Sequence, residues 1–375
     1  MAALRGHDML SGVRILDLTR VLAGPVCTMM LGDMGASVLK VERPEGGDET
    51  RGWGPPFDPD GESAYYLSVN RNKLSLTADL DRGPDAALLR SLATDADVVV
   101  ENFRAGALER RGLGASTIRS VNPSLVWCTI SGFGPGSARR GYDFVVQAEC
   151  GWMSITGEPD GPPMKHGVAL ADLLAGKDAA VAILGALVAR ARTGEGRHLH
   201  VSLDASAEAA LLNVAQNALV SGQAPARWGN AHANLVPYQL FDAADRAVVI
   251  AVGSDAQWLG CAMALDLTDL AADAALRTNA GRLAQRERVT REIGARVKAR
   301  PAADCVARLD QAGVPCGVVR TVLEVLASAN GSALTGMPPS VPGSVRRPPP
   351  RLGEHSALVR ARGWEAFADG AAARH

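Results

Sequence analysis

The sequence predicts an α/β protein built on a parallel sheet with helices on both faces. Three observations carry this reading. Near-continuous apolar runs such as Val98-Val99-Val100 recur, which is the pattern of strands buried on both sides. Strand-like and helix-like segments alternate over residues 1–135, with no internal repeat. The apolar fraction is 47% of 375 residues, enough core for two or three domains.

The elements follow in order. Val13 to Leu18 reads as the first strand, and Gly24-Pro25 opens a helix that runs to about Gly35. Ser37 to Glu42 is the next strand, Pro84 to Ala93 a helix, Asp97 to Glu101 a strand. Ala105 to Gly112 reads as helix and Leu125 to Ile130 as strand. Asp172 opens an alanine-rich helix, Leu173 to Arg192, which Thr193-Gly194 ends. Arg197 to Leu203 is a further strand and Ala205 to Val220 a long helix, before a domain exit at Ser221-Gly222-Gln223-Ala224-Pro225. Beyond it, strand-like runs occupy Leu240 to Val252, and helices are expected over 255–265, 281–299 and 302–312, with a short strand or loop over 314–319. From Gly331 the chain is rich in Pro, Gly, Ser and Arg and reads as an extended crossing segment. A short, frayed helix is expected over 361–375.

Composition excludes several classes of function. A formal net charge of −1 argues against duplex nucleic acid or an anionic membrane as partner. No uncharged apolar run reaches the length of a bilayer span, about eighteen residues, and Met1 to Asp8 has no signal-peptide core. Six cysteines without a CxxC pair point to reduced thiols in the cytoplasm rather than disulfides or structural zinc. His198 and His200 alternate on a strand-like run, which makes a weak metal site, and no metal is expected.

A doubly wound sheet binds ligands at the carboxyl ends of its strands. Those ends carry Thr19 to Pro25, Glu42 to Pro44, Glu101 to Arg104 and Ser131 to Pro135. No GxGxxG follows the first strand, so a nicotinamide or flavin site lacks its phosphate-binding turn. Asp172 has two readings. As an N-cap its side chain would satisfy orphan N–H groups of the first turn. As a nucleophile its ionised form would be favoured by the same helix terminus. The local sequence leaves both open.

An ordered set of motifs adds a resemblance. It comprises Leu16-Asp17-Leu18-Thr19 with Ala23-Gly24-Pro25, Lys40-Val41-Glu42-Arg43-Pro44, Asn72-Lys73, Val100-Glu101-Asn102-Phe103 and Ser131-Gly132-Phe133-Gly134. Gly141-Tyr142-Asp143, Ile155-Thr156-Gly157, Asp172 with Gly176, Arg192-Thr193-Gly194-Glu195-Gly196 and Leu352-Gly353-Glu354-His355 complete it. On these residues the chain resembles the family III CoA-transferases, the CaiB/BaiF family, over nearly its whole length.

The resemblance implies a Rossmann-like, parallel-sheet large domain at 1–204, a connecting helix at 205–225 and a smaller α+β domain at 226–330. Residues 331–375 would return to the large domain, and two chains would interlace as a homodimer. It implies movement of CoA between an acyl-CoA, such as succinyl-CoA, and a carboxylic acid, such as a dicarboxylate. Asp172 would be the nucleophile, passing through an aspartyl anhydride and an aspartyl-CoA thioester. Tyr142 stands where the family's transferases carry tyrosine and its racemases a histidine, and as a second catalytic residue it would donate a hydrogen bond or pack against CoA. CoA would be a substrate, with no tightly bound cofactor. Its implied contacts are Val21, Leu22, Ala23, Asn102 and Phe103, together with Arg43, Lys73, Ala78, Arg110 and Arg111. Asp143 matches an acidic family position, yet could instead cap a helix beginning near Phe144. The segment Arg227 to Gln239 resembles one in users of succinyl-CoA, and acyl recognition and an ordered junction are both open for it. The alternatives are a 2-methylacyl-CoA racemase and a non-catalytic CoA-ester-binding protein.

Overall fold

Apolar periodicity in the N-terminal half does produce a parallel sheet, with one strand more than the pattern suggests. A computed structural model of the chain describes residues 9–368. The strands are β1 (Arg14–Asp17), β2 (Ser37–Glu42), β3 (Lys73–Thr77), β4 (Val98–Glu101), β5 (Val126–Ser131) and β6 (His198–Ser202). All pair in parallel, in the order β3-β2-β1-β4-β5-β6. The order reverses between β1 and β4, which is where such sheets open a ligand crevice.

Successive side chains point to opposite faces, and both faces are covered. Ile15, Val38, Val98 and Val126 pack in one core with residues of helices Ala23–Asp33 and Leu170–Thr193. Leu16, Leu39, Val99 and Trp127 pack in a second with helices Gly83–Thr94 and Ala115–Val121.

The unforeseen strand is β3. Its sequence, Lys73-Leu74-Ser75-Leu76-Thr77, looks half-exposed, yet Lys73 and Ser75 are fully buried because each has an ionic or hydrogen-bonding partner inside. The outer edge of β3 is shielded by the C-terminal segment. The His355 N–H donates to Ser75 O at 3.0 Å, and Ser356 Oγ accepts from the Thr77 N–H at 3.0 Å. Such cover removes the hazard of an open edge. Asn72, at φ +62°, rivets the Pro-rich run: its Oδ1 accepts from the N–H groups of Arg346 (2.7 Å) and Arg347 (2.9 Å).

Four expectations need correction. The helix expected over 105–112 is one short 3-10 turn, Glu109–Arg111, and the true helix is Ala115–Val121. The expected helix at 205–220, part of the connecting helix 205–225, is two helices, Leu203–Ala209 and Leu212–Ser221, interrupted where Leu212 takes φ +42°. The helix over 281–299 also divides, into Asn279–Ala284 and Arg286–Lys298. Near the C-terminus the helix is Ser356–Arg362, followed by a 3-10 turn at Gly363–Phe367. The rest of the helix expected to 375 lies outside the described residues.

The chain forms two compact units. Among the described residues, one comprises 9–152, Lys165–Val220 and 329–368; it contains the parallel sheet. The other comprises Met153–Met164 and Ser221–Ser328. It holds an antiparallel sheet, β7 (Tyr238–Asp242), β8 (Ala247–Ala251) and β9 (Cys316–Val318). Trp258, Cys261, Ile293 and Leu309 lie in its own core. Within this unit Arg227 donates to Gly161 O (2.8 Å), and Arg286 donates to Ala233 O (2.7 Å) while lying 4.7 Å over the Trp228 ring. Of the segment Arg227 to Gln239, these contacts use the Arg227 side chain, the Trp228 ring and the Ala233 carbonyl. Among the described residues no helix is long and apolar enough to cross a membrane, and no cluster of side chains has a metal-ligand arrangement.

Candidate active site

Asp172 is not an N-cap. The helix begins at Leu170, its N-cap position is Ala169 without a side-chain bond, and Asp172 is the third helical residue. The capping is done from a distance by Asp143. Asp143 Oδ2 accepts from the N–H groups of Ala171 (2.8 Å) and Asp172 (3.3 Å), and its Oδ1 accepts from Gln147 Nε2 (2.5 Å). Asp143 therefore satisfies orphan donors of a helix other than the one it starts, Asp143–Glu149.

This leaves the Asp172 carboxylate for the space in front of it. The backbone N–H of Ala23, first residue of helix Ala23–Asp33, lies near enough to favour its charged form. The two helices approach so closely at Gly176 that a Cβ there would lie 2.5 Å from Ala23 O. Burial, and then the neighbouring Asp143 charge, push the Asp172 pKa up to about 7, partly offset by the Ala23 N–H. Burial and the carboxylates of Asp172, Asp143 and Asp48 push Tyr65 up to about 12. Tyr65 is thus a neutral phenol in the field of the Asp172 carboxylate.

Asp172 lines a cleft of about 510 Å³ together with Tyr142, Val21, Leu22, Ala23, Asn102 and Phe103. The loop after β1 forms one wall, and its shape comes from tertiary contacts. Val21 has φ +70°, a left-handed conformation costly for a β-branched residue. Its N–H donates to Asp48 Oδ1 at 3.2 Å, and Asp48 in turn accepts from Lys40 Nζ at 2.9 Å. Asn102, beyond β4, holds the backbone of Arg20 at two points, accepting from its N–H (3.0 Å) and donating to its carbonyl (2.8 Å). Gly132 and Gly141 also line the cleft, and they cross so tightly that a Cβ on either would lie 2.4 Å from the other's Cα. Tyr142, just beyond this crossing, is 55% exposed.

A second cavity, of about 280 Å³, is lined by Arg43, Ala78, Phe103 and Arg111. Phe103 borders both spaces. Arg43 Nε donates to Gly47 O at 2.9 Å, and Arg111 pairs with Asp81 at 2.7 Å. Nine of the twelve residues singled out from sequence thus border one or both cavities in addition to Phe103, and two do not.

Those two are Arg110 and Lys73. Arg110 is exposed and borders neither cavity. Lys73 is a correction: its ammonium is fully buried and donates to Asp17 Oδ2 (3.0 Å), Pro25 O (3.1 Å) and Asn70 Oδ1 (3.0 Å). Its three donors are spent inside the fold, with none left for a phosphate. Burial alone would raise the Asp17 pKa, but Lys73, Lys40 and the hydroxyls of Thr19 and Thr28 hold it down at about 2. Lys73→Met should lose about 3–5 kcal/mol of stability, because it strands a buried carboxylate. Urea unfolding checks this; an unchanged midpoint with a raised KM for CoA would restore the phosphate role.

The structure also brings to the cleft residues that were not foreseen as contacts: Arg20, Glu49, Arg139, Arg140, His198 and His200. The two histidine rings lie 4.1 Å apart on edge strand β6, and His198 Nε2 is 3.0 Å from Thr129 Oγ1. Only their alternation along a strand was visible in the sequence. The Asp143 cap and the place of Tyr65 had no local signal.

The model of CoA-transferase family III matches residues 10–337. The chain belongs to CoA-transferase family III. As a member of that family it is an enzyme that moves CoA between an acyl-CoA and a carboxylic acid. It is 41% identical to the succinate–glutarate CoA-transferase of Agrobacterium fabrum, over 94% of this chain and 95% of that protein. It is 45% identical to the succinyl-CoA:mesaconate CoA-transferase of Haloarcula hispanica, over 76% of this chain and 74% of that protein. Among solved structures, a CaiB/BaiF family protein from Brucella suis superposes with a TM-score of 0.82 at 39% identity, covering 94% of this chain and 98% of that one.

Proposed function

We propose that this CoA-transferase exchanges CoA between succinyl-CoA and a short dicarboxylate, with Asp172 as nucleophile. One observation carries the mechanism: the Asp172 carboxylate faces the cleft, with a pKa near neutrality, beside the Ala23 N–H. Relatives named for glutarate and mesaconate support the substrate class. An Asp172 oxygen attacks the thioester carbonyl carbon, the C–S bond breaks, and CoA leaves as thiolate. The thiolate then attacks the Asp172 carbonyl of the resulting anhydride. The anhydride C–O bond breaks, giving aspartyl-CoA thioester and free succinate. The acceptor carboxylate attacks that thioester and the CoA thiolate leaves again. The thiolate finally attacks the acceptor's carbonyl, which forms the new acyl-CoA and releases Asp172. No net proton is consumed, so the site needs no strong acid. N–H groups such as that of Ala23 serve the developing oxyanions.

In this reading Val21, Leu22, Ala23, Asn102 and Phe103 guide the thioester arm to Asp172. Arg43, Ala78 and Arg111 take the nucleotide end across Phe103, and Tyr142 donates a hydrogen bond or packs against the acyl group. A racemase would need an acid–base group at position 142, and a phenol is a poor base near neutral pH; this supports transfer. An interlaced homodimer and a cytoplasmic setting belong to the same reading, the latter supported by six free cysteines, five of them buried.

The test offers succinyl-CoA with glutarate, mesaconate, citramalate, oxalate and valerate, and reads new thioesters by mass spectrometry. Dicarboxylate thioesters are expected, together with an acyl-enzyme that hydroxylamine traps at Asp172. A wild-type protein that forms no dicarboxylate thioester would refute the substrate class.

A further inference from the structure

We propose that Arg20 is the residue that selects dicarboxylates, binding the carboxylate remote from the thioester, with Glu49 holding its place in the absence of substrate. The assignment rests on the substrate class proposed above and deepens it.

Arg20 sits at the carboxyl end of β1, where the sheet order reverses. Its backbone is held at both N–H and carbonyl by Asn102. The next residue, Val21, is locked at φ +70° through Asp48. A loop fixed this firmly gives its side chain a defined direction. The guanidinium lies 5.4 Å from the Phe103 ring centre, and its Nη1 meets Glu49 Oε1 at 2.5 Å. Both Arg20 and Glu49 line the same cleft as Asp172.

The decisive feature is what this ion pair leaves undone. Arg20 Nε and Glu49 Oε2 are buried atoms without a hydrogen-bond partner, the only two such side-chain atoms among the described residues. Buried polar atoms are nearly always paired. Glu49 takes a single guanidinium nitrogen, so the edge formed by Nε and its neighbouring Nη2 is not used by it. That edge is a planar two-donor fork matched to a carboxylate. Nε is covered while Nη1 pairs with Glu49, so the guanidinium turns out of that pair to present this edge, and the edge then fits a second carboxylate on the substrate.

Position agrees. Arg20 precedes by three residues Ala23, which lies against the Asp172 helix at Gly176 and beside the Asp172 carboxylate. Three residues of backbone span at most about 11 Å, and the Arg20 side chain reaches back across part of that. One end of a succinyl or glutaryl group can then lie at Asp172 while the other meets Arg20. A monocarboxylate of equal length would leave the fork unpaired, and a site that loses such a partner discriminates strongly. Glu49 keeps the guanidinium partly neutralised before substrate arrives.

The experiment measures kcat/KM for glutarate and for valerate in the wild type, Arg20→Met, Arg20→Lys and Glu49→Gln, with folding followed by thermal melts. The glutarate-over-valerate ratio should fall on the order of 100-fold in Arg20→Met, carried by KM, as for truncation of a charge-paired side chain. Arg20→Lys should recover part of the ratio, because it keeps the charge without the fork. In Glu49→Gln the KM for glutarate should fall, since the competing carboxylate is gone. A folded Arg20→Met or Arg20→Lys enzyme that keeps the wild-type ratio would overturn the assignment. That result is distinct from failure of the substrate class, which would show in the wild type itself as absence of glutaryl-CoA.

Discussion

Asp172→Asn is expected to lower kcat by roughly 10⁴-fold or more, the scale seen when a covalent nucleophile is removed. The hydroxylamine-trappable acyl-enzyme should disappear with it. The same substitution should raise stability at alkaline pH. The folded protein holds the Asp172 pKa at about 7, against an ordinary carboxylate value of 3.8. The protonated form is therefore the one the fold favours. This contribution is full below the unfolded pKa and is progressively lost as pH rises through 7. Above that, the wild type carries the cost of a half-buried charge beside Asp143, whereas asparagine does not. Thermal melts at pH 5 and pH 8 check the sign, with Asp172→Asn gaining on the wild type at the higher pH. An Asp172→Asn enzyme that still transfers CoA at a comparable rate would remove Asp172 from the reaction.

Asp143→Asn should shift the acid limb of the kcat profile to lower pH. A carboxylate must be ionised to attack a thioester, so the wild-type rate should rise with pH through about 7. At pH 6 only about a tenth of such a group is ionised. Asparagine removes the like charge that helps hold the Asp172 pKa up, and keeps an amide oxygen for the N–H groups of Ala171 and Asp172. Its fractional activity at pH 6 should therefore rise. The plateau rate should fall several-fold, since a less basic carboxylate is a weaker nucleophile. Asp143→Ala should show the same shift and in addition lose about 1 kcal/mol of stability, the usual value of a lost cap. Coincident acid limbs for wild type and Asp143→Asn would mean that Asp143 has no electrostatic hold on Asp172.

These two carboxylates show how unevenly the site was legible. Asp172 stood out because a lone charge enters an apolar, alanine-rich helix, and helices announce their termini locally. Of its two readings the N-cap misses by three positions, because the N-cap position is Ala169 and the capping carboxylate is Asp143, 29 residues earlier. Asp143 itself offered a local explanation, capping its own helix, and the local explanation was not the true one. Lys73 failed in the opposite way. The resemblance implied a CoA contact for it, and nothing near it in sequence reveals that Asp17 waits on β1, 56 residues away. The strand that carries Lys73 was missed for the same reason, since its buried polar residues disguise its burial.

Sequence alone determined the layers of the sheet domain, most of its strands and the placing of a carboxylate at a helix entrance. These depend on periodicity and on backbone preferences of adjacent residues, which are local properties. Tertiary structure decided which charges meet: Asp143 with the helix of Asp172, Lys73 with Asp17, Asp48 with the Val21 amide, Arg20 with Glu49. A charge in a low-dielectric interior is governed by its nearest partner in space, and those partners come from different strands and loops. For that reason the chemistry of Asp172, and the unpaired edge of Arg20 beside it, became readable only once the chain was folded.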